Sequence, residues 1–207
     1  MKDYEALSRK HFDAQAAEYD ARDTVYYSRE GKISCRDIAA QLGQTDFDAL
    51  LDVGCGTGWL IDMLAKQRQA RYVGLDLSSE MIKMAEQKQI DGAKFVNGTA
   101  DSLPFPDASF DIVTCSQSFH HYPYPEKAMG EAFRVLKKGG LYILSDTGVG
   151  GVGGWIDNHI FFRLAGSGDC HTTNRKGIAR MMENSGFRVK ESRQIQGFIY
   201  TVTGVKP

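Results

Sequence analysis

What this chain lacks narrows its class before anything it contains. It has no run approaching the roughly 20 apolar residues that span a bilayer, so no membrane insertion is expected. Its opening stretch, MKDYEALSRKHFDAQAAEYD, is charged throughout and holds no apolar core of signal-peptide length, which makes the cytoplasm the expected location. An excess of either charge is missing too. The 25 Lys and Arg stand against 26 Asp and Glu, for a formal net charge of −1. Without a net basic field, neither nucleic acid nor an anionic membrane is the expected main partner. The four cysteines, Cys35, Cys55, Cys115 and Cys170, form no CxxC pair. That spacing argues against a disulfide framework or a zinc knuckle and for free thiols in a reducing compartment, with only a soft-metal or metalloid site left open. No internal repeat is present, and the one biased stretch is the glycine cluster at residues 148–154.

What is present reads as one domain of ordinary size. A chain of 207 residues, 42% hydrophobic and 25% charged, can bury a continuous core. Residues 1–44 alternate charge with apolar positions at helical spacing, as in Ile33, Ile38 and Leu42, and are expected to form a helical cap. From residue 45 onward, strand-like and helix-like segments alternate. ALLDVG, RYVGLDL, AKFVNG, SFDIVTCS and LYILSDT read as buried strands, with apolar helical periods between them. Pro125 to Leu136 reads as a helix that starts with proline and acid and runs into Lys137-Lys138 before Gly139-Gly140. Two helical stretches and a final strand pair, FRVKESRQIQ and GFIYTVTGV, close the chain, with a substrate-cap insertion expected at about residues 148–173. Repeated strand–helix alternation implies right-handed crossovers and a parallel sheet covered on both faces. The predicted fold is therefore an α/β, doubly wound sheet of about seven strands, mostly parallel, with an antiparallel terminal strand.

The most informative run is LLDVGCGTGWL, where Gly54, Gly56 and Gly58 fall between a buried strand and a helix. Glycine there permits a tight turn and close backbone approach to a ligand, and the helix start offers unpaired N–H groups. A dinucleotide fingerprint GxGxxG requires glycine at 59, where this chain has Trp59. The GxGxG spacing instead leaves room for an amino-acid carboxylate and amine. Asp76 ends the second strand, where a carboxylate can accept from both hydroxyls of a ribose.

The runs LLDVGCGTG, GLDLSSEMI and GTADSLPFPDASFDIVTCSQSFHHYPYPEKAMGEAFRVLKKGG resemble the class I, small-molecule methyltransferases of the ubiquinone/menaquinone-biosynthesis type, over residues 50–146. HFDAQAAEYD resembles that family's amino-terminal segment, which closes over the cofactor. The resemblance implies a Rossmann-like domain that binds S-adenosyl-L-methionine (SAM) and releases S-adenosyl-L-homocysteine. It implies that Asp52, Gly54, Cys55, Gly56 and Gly58 receive the methionine end, that Asp76 holds the ribose, and that Leu77 and Met81 flank the adenine. Thr99 and Ala100 would meet the adenine edge, with Asp101 beside them. Cys115 and Ser116 would line the floor near the methyl group, and Phe12 and Tyr19 would belong to the lid. The family commonly has Asp-Ala-Glu where this chain has Thr99-Ala100-Asp101, which removes a charged acceptor from the adenine edge.

Methyl transfer asks mainly for alignment, and a general base only where the acceptor arrives protonated. The candidate bases are His121 and, after it, His120. Tyr26, Tyr27, Phe119, Tyr122, Tyr124, Trp155, Phe161 and Phe162 are expected around the mouth, which would suit a planar or apolar small substrate. No resident metal is expected, because His159, Cys170 and His171 show no recognised ligand spacing. The expected assembly is a monomer or homodimer. Two other readings compete. A nicotinamide oxidoreductase is disfavoured by Trp59 and by the lack of an obvious Tyr-x-x-x-Lys. A non-catalytic SAM-binding regulator would share the fold and the loop.

Overall fold

The computed structural model describes residues 3–20, 26–161 and 168–207, the side chains of residues 26–28, 159 and 161 aside. The chain opens with α1 (Tyr4–Gln15), whose first turn is closed by the Asp3 carboxylate accepting the Ala6 N–H at 3.0 Å. Then come α2 (Tyr26–Leu42), β1 (Ala49–Val53), α3 (Trp59–Ala65), β2 (Arg71–Asp76), α4 (Ser79–Gln87), β3 (Ala93–Asn97) and β4 (Phe110–Ser116). After β4 follow α5 (Pro125–Val135), β5 (Leu136–Thr147), α6 (Gly151–Ile156), α7 (Arg175–Asn184), β6 (Arg188–Gln196) and β7 (Ile199–Val205). The strands form one seven-stranded sheet in the order β3-β2-β1-β4-β5-β7-β6. β1 to β5 pair in parallel, and β7 pairs antiparallel with both β5 and β6. The expected fold is thus observed. The reversed strand, last in sequence, sits between its neighbours rather than at the edge.

The pattern of β1 explains why both faces are covered. All five of its residues are buried, and successive side chains point to opposite faces. Leu50 enters a cluster with Ile38 and Leu42 of α2, Leu60 and Ile61 of α3, and Ile112 and Ile143. Leu51 enters the other, with Met129 and Ala132 of α5, Ile178 and Met182 of α7, and Phe187. Each fully buried leucine contributes roughly 1.5–3 kcal/mol of transfer free energy.

The first 44 residues divide between two roles. α2 is a core layer: its Ile38 is fully buried, and its Asp37 accepts from Arg193 and Thr201 on the terminal hairpin. α1 lies over the carboxyl edge of the sheet, where Asp13 takes a hydrogen bond from the Ser78 hydroxyl at the start of α4. The helix expected over Pro125–Leu136 runs from Pro125 to Val135. β5 already begins at Leu136, and Lys137 pairs with Asp111 at 2.7 Å across a register shift between Phe110 and Ile112.

Candidate functional site

The turn after β1 is shaped by three left-handed glycines, with φ of +74° at Gly54, +52° at Gly56 and +75° at Gly58. They do different things. A Cβ on Gly54 would strike Ser118 and Tyr122, and one on Gly58 would meet the Phe95 ring at 2.9 Å. At Gly56 nothing lies within 4 Å of that position. Gly54 borders both cavities over this edge and Gly56 one of them. Gly58 serves helix–strand packing as the residue before α3, while Gly56 presents bare backbone to open space. The Gly56 N–H donates to Asp76 Oδ2 and the Ser78 N–H to Asp76 Oδ1, both at 2.8 Å. One carboxylate thus ties the glycine turn to the start of α4 and keeps further lone pairs for a ligand.

Two adjoining cavities lie over this edge and share Phe12, Gly54 and Asp76. One, of about 540 Å³, is bordered by Leu77, Thr99, Ala100, Asp101, His121 and Tyr122. The other, of about 740 Å³, is bordered by Tyr19, Asp52, Cys55, Gly56, Met81 and Ser116. The predicted residues therefore converge, with some relocations. Met81 borders the second cavity and Leu77 the first. Cys115, expected on the floor, is fully buried in the core with its thiol 3.6 Å from the Tyr122 hydroxyl. The reason is strand alternation, which turns Cys115 inward and Ser116 outward. Phe119, expected at the mouth, is 1% exposed and packs edge-on against Tyr122 and His171. Tyr124 does border the 540 Å³ cavity, and Trp155 is exposed. Phe162, with the side chains of Tyr26, Tyr27, His159 and Phe161, lies outside the described residues.

The electrostatics mark the same spot. Burial pushes the Asp52 carboxyl up to about 7, against the Thr114 hydroxyl that donates to it at 2.7 Å. Burial likewise raises Asp76 to about 6, opposed by the backbone N–H groups of Ser78 and Gly56. At the far end, burial would raise Asp101, but hydrogen bonds from Thr99 and Lys127 hold it below the ordinary carboxylate range.

Beyond Ser116 the chain turns through Gln117, a non-glycine residue at φ +50°, and then forms the short turn Phe119–His121. His120 Nδ1 lies 2.7 Å from Asp146 Oδ1 at the end of β5. Burial would lower the His120 pKa, but the Asp146 charge and hydrogen bond, with Asp169 and Glu30 behind them, keep it above the ordinary value. His121 goes the other way, down to about 3, through burial and the neighbouring His120 charge. Two further cavities meet these rings. One of about 430 Å³ is bordered by His11, Tyr19, Gln117, His120, His121 and Asp169, and one of about 660 Å³ by Glu30, His120, Thr147, Asp157 and Asp169. Asp146, Asp169, Glu30 and Gln117 were not singled out from sequence. No spacing could have flagged them, because they reach the site from separate segments. In the expected insertion, Gly148 and Gly154 press against the backbone of Thr173 and Val149, so these glycines fill tight packing.

The sheet order, the glycine turn and the acidic end of β2 match the fold expected from the sequence. Residues 51–144 match the family model described as Methyltransferase domain. The uncharacterized methyltransferase YcgJ of Bacillus subtilis is 40% identical over 47% of this chain and 40% of its own length. The demethylmenaquinone methyltransferase of Geobacillus stearothermophilus is 32% identical over 66% of this chain and 61% of its own length. The chain thus spans less than two thirds of the length of these curated relatives. The YcgJ crystal structure superposes with a TM-score of 0.68 at 26% identity, covering 78% of this chain and 70% of that one. A SAM-dependent methyltransferase from Aquifex aeolicus does so with a TM-score of 0.72 at 18% identity, covering 94% and 98%.

Proposed function

We propose that this protein transfers a methyl group from SAM to a small-molecule acceptor. The observation that carries the reading is the Gly56 turn, open to the crevice and held by Asp76. The residues present fit the cofactor. Asp76 would accept from the ribose hydroxyls, the exposed backbone at Gly56 and the Asp52 carboxyl would meet the amino-acid end, and Thr99 to Asp101 would border the adenine. When bound, SAM supplies a methyl group already activated by its sulfonium. Phe12 and Tyr19 border both the cofactor crevice and the 430 Å³ cavity, so they cover the junction where acceptor and cofactor would meet and exclude water from it. Holding the two reactants in line supplies up to about 7–11 kcal/mol in the best intramolecular models. An acceptor that arrives with a free lone pair needs no base. Of the two rings put forward as bases, His120 is the one with raised proton affinity, and His121 is a neutral ring at ordinary pH. The similarity to a demethylmenaquinone methyltransferase supports a small organic acceptor. Among the described residues no helix is long and apolar enough to cross a membrane.

Calorimetric titration tests the reading directly. Saturable binding of SAM and S-adenosyl-L-homocysteine is expected, with none of NADH. Labelled methyl groups should then appear in product from an extract of small metabolites. NADH binding without SAM binding would sink the proposal.

A further inference from the structure

We propose that His120, His121 and Asp169 form a divalent transition-metal site on the acceptor side of the crevice. One ligand atom from each lies within 4.8 Å of the others. Asp169 Oδ1 stands 3.6 Å from His120 Nε2 and 3.6 Å from His121 Nδ1. Those separations are too long for hydrogen bonds. They are near the roughly 3.4 Å edge of a tetrahedron built on metal–ligand bonds of about 2.1 Å.

The tautomers point the same way. His120 Nδ1 is committed to Asp146 at 2.7 Å, which leaves Nε2 as the ring nitrogen facing Asp169, where a cation would displace any proton it carries. A carboxylate behind a ligating imidazole is the usual arrangement for orienting it and raising its basicity. Asp146 is itself buried and fixed, accepting from the backbone N–H groups of His120 and Thr147. The buried Nδ1 of His121 has no hydrogen-bond partner among the described residues. Two imidazole nitrogens and a carboxylate oxygen thus face one another at separations that a divalent cation would bridge. The strap carrying Asp169 is registered on the same turn, since the N–H groups of Cys170 and His171 both donate to the His120 carbonyl, at 3.1 and 3.3 Å.

Two imidazoles and one carboxylate suit zinc, iron, nickel or cobalt better than magnesium or calcium. Three protein ligands leave coordination positions open, the pattern of a working rather than a structural site. Those positions face the 430 and 660 Å³ cavities, and Phe12 packs edge-on against His121 with centroids 5.0 Å apart, which links the site to the cofactor crevice. An oxygen or nitrogen of the acceptor would bind there and lose its proton more readily, so the metal replaces a histidine base. The site itself stands on geometry alone; only this role rests on methyl transfer.

Chelator-stripped protein is dialysed against Zn²⁺ or Co²⁺, with bound metal counted by mass spectrometry and the Co²⁺ d–d absorption recorded. One metal per chain is expected. Asp169→Asn and His121→Gln should weaken it tenfold or more, with circular dichroism confirming their fold, and Cys170→Ser should leave it unchanged. Equal metal content in the wild type and Asp169→Asn, or no Co²⁺ spectrum, overturns the site. SAM binding is titrated separately on the stripped protein. Metal uptake without SAM binding would sink the proposed function and leave this site standing. SAM binding without metal uptake would do the reverse.

Discussion

The proposed cofactor crevice and the proposed acceptor side of this protein are built by opposite strategies. The crevice is local: residues 52–58 supply a turn, Asp76 closes it from the next strand, and Thr99 to Asp101 follow from the third. The acceptor side is assembled from distant chain. Glu30 comes from α2, Gln117 and the two histidines from the turn after β4, Asp146 from β5, and Asp169 from the strap beyond α6. A motif made of neighbours keeps its geometry through backbone hydrogen bonds. A site made of distant side chains depends on how whole elements pack, and can change with them while the fold persists.

The largest expected effect tests whether the glycines of the local motif do different work. Gly54→Ala places a methyl group into Ser118 and Tyr122 at a left-handed φ, and should cost about 3 kcal/mol or more of stability in denaturant unfolding. Gly56→Ala has open space and pays only the left-handed strain, about 1–2 kcal/mol, while SAM affinity falls. Equal destabilisation by the two would erase the distinction drawn between them.

Asp76→Ala should weaken SAM by about 1–3 kcal/mol in calorimetry, the scale of charge-assisted hydrogen bonds. Unchanged affinity would mean that the ribose is held elsewhere.

The pH dependence sharpens the same point. With its folded pKa at about 6, Asp76 is ionised above that pH and able to accept from two hydroxyls. SAM affinity should fall by up to about tenfold per unit below pH 6, and Asp76→Asn should flatten the profile. Stability of the ligand-free protein runs the other way. Asp52, at about 7, and Asp76 bind protons more tightly folded than unfolded. Their contribution is complete below the unfolded value of about 3.9 and is lost as pH rises through 6 to 7. A melting temperature insensitive to pH between 4 and 7 in the Asp52→Asn, Asp76→Asn pair, but not in the wild type, would confirm the assignment.

The smallest effect is expected at the rim. Lys127→Ala removes an exposed partner of Asp101 and should change stability by less than about 1 kcal/mol.

Much of the crevice was legible because its signals are short-range. Three glycines in five residues after an apolar run, an aspartate closing the next strand and a serine cap on α4 each state a local backbone requirement, and Ser78 does accept from Met81 N–H at 3.1 Å. The errors have one cause. Cys115 and Ser116 are adjacent, and only the sheet decides which faces the crevice. Phe119 reads as a mouth aromatic until the short turn folds it under Tyr122. That Gly58 also packs against Phe95 of β3 is visible only in the folded chain. The histidine pair was noticed, but which ring is proton-rich depends on Asp146, 26 residues away.

By itself the sequence determined the order and type of the elements, the doubly wound sheet and the glycine turn at the end of β1, since hydrophobic period and turn chemistry act over a few residues. Only the tertiary structure decided which side chains share the acceptor side, which histidine is shielded from protons, and where β7 inserts. Those outcomes follow from burial and from charges brought together across the fold, and neither exists until the layers have packed.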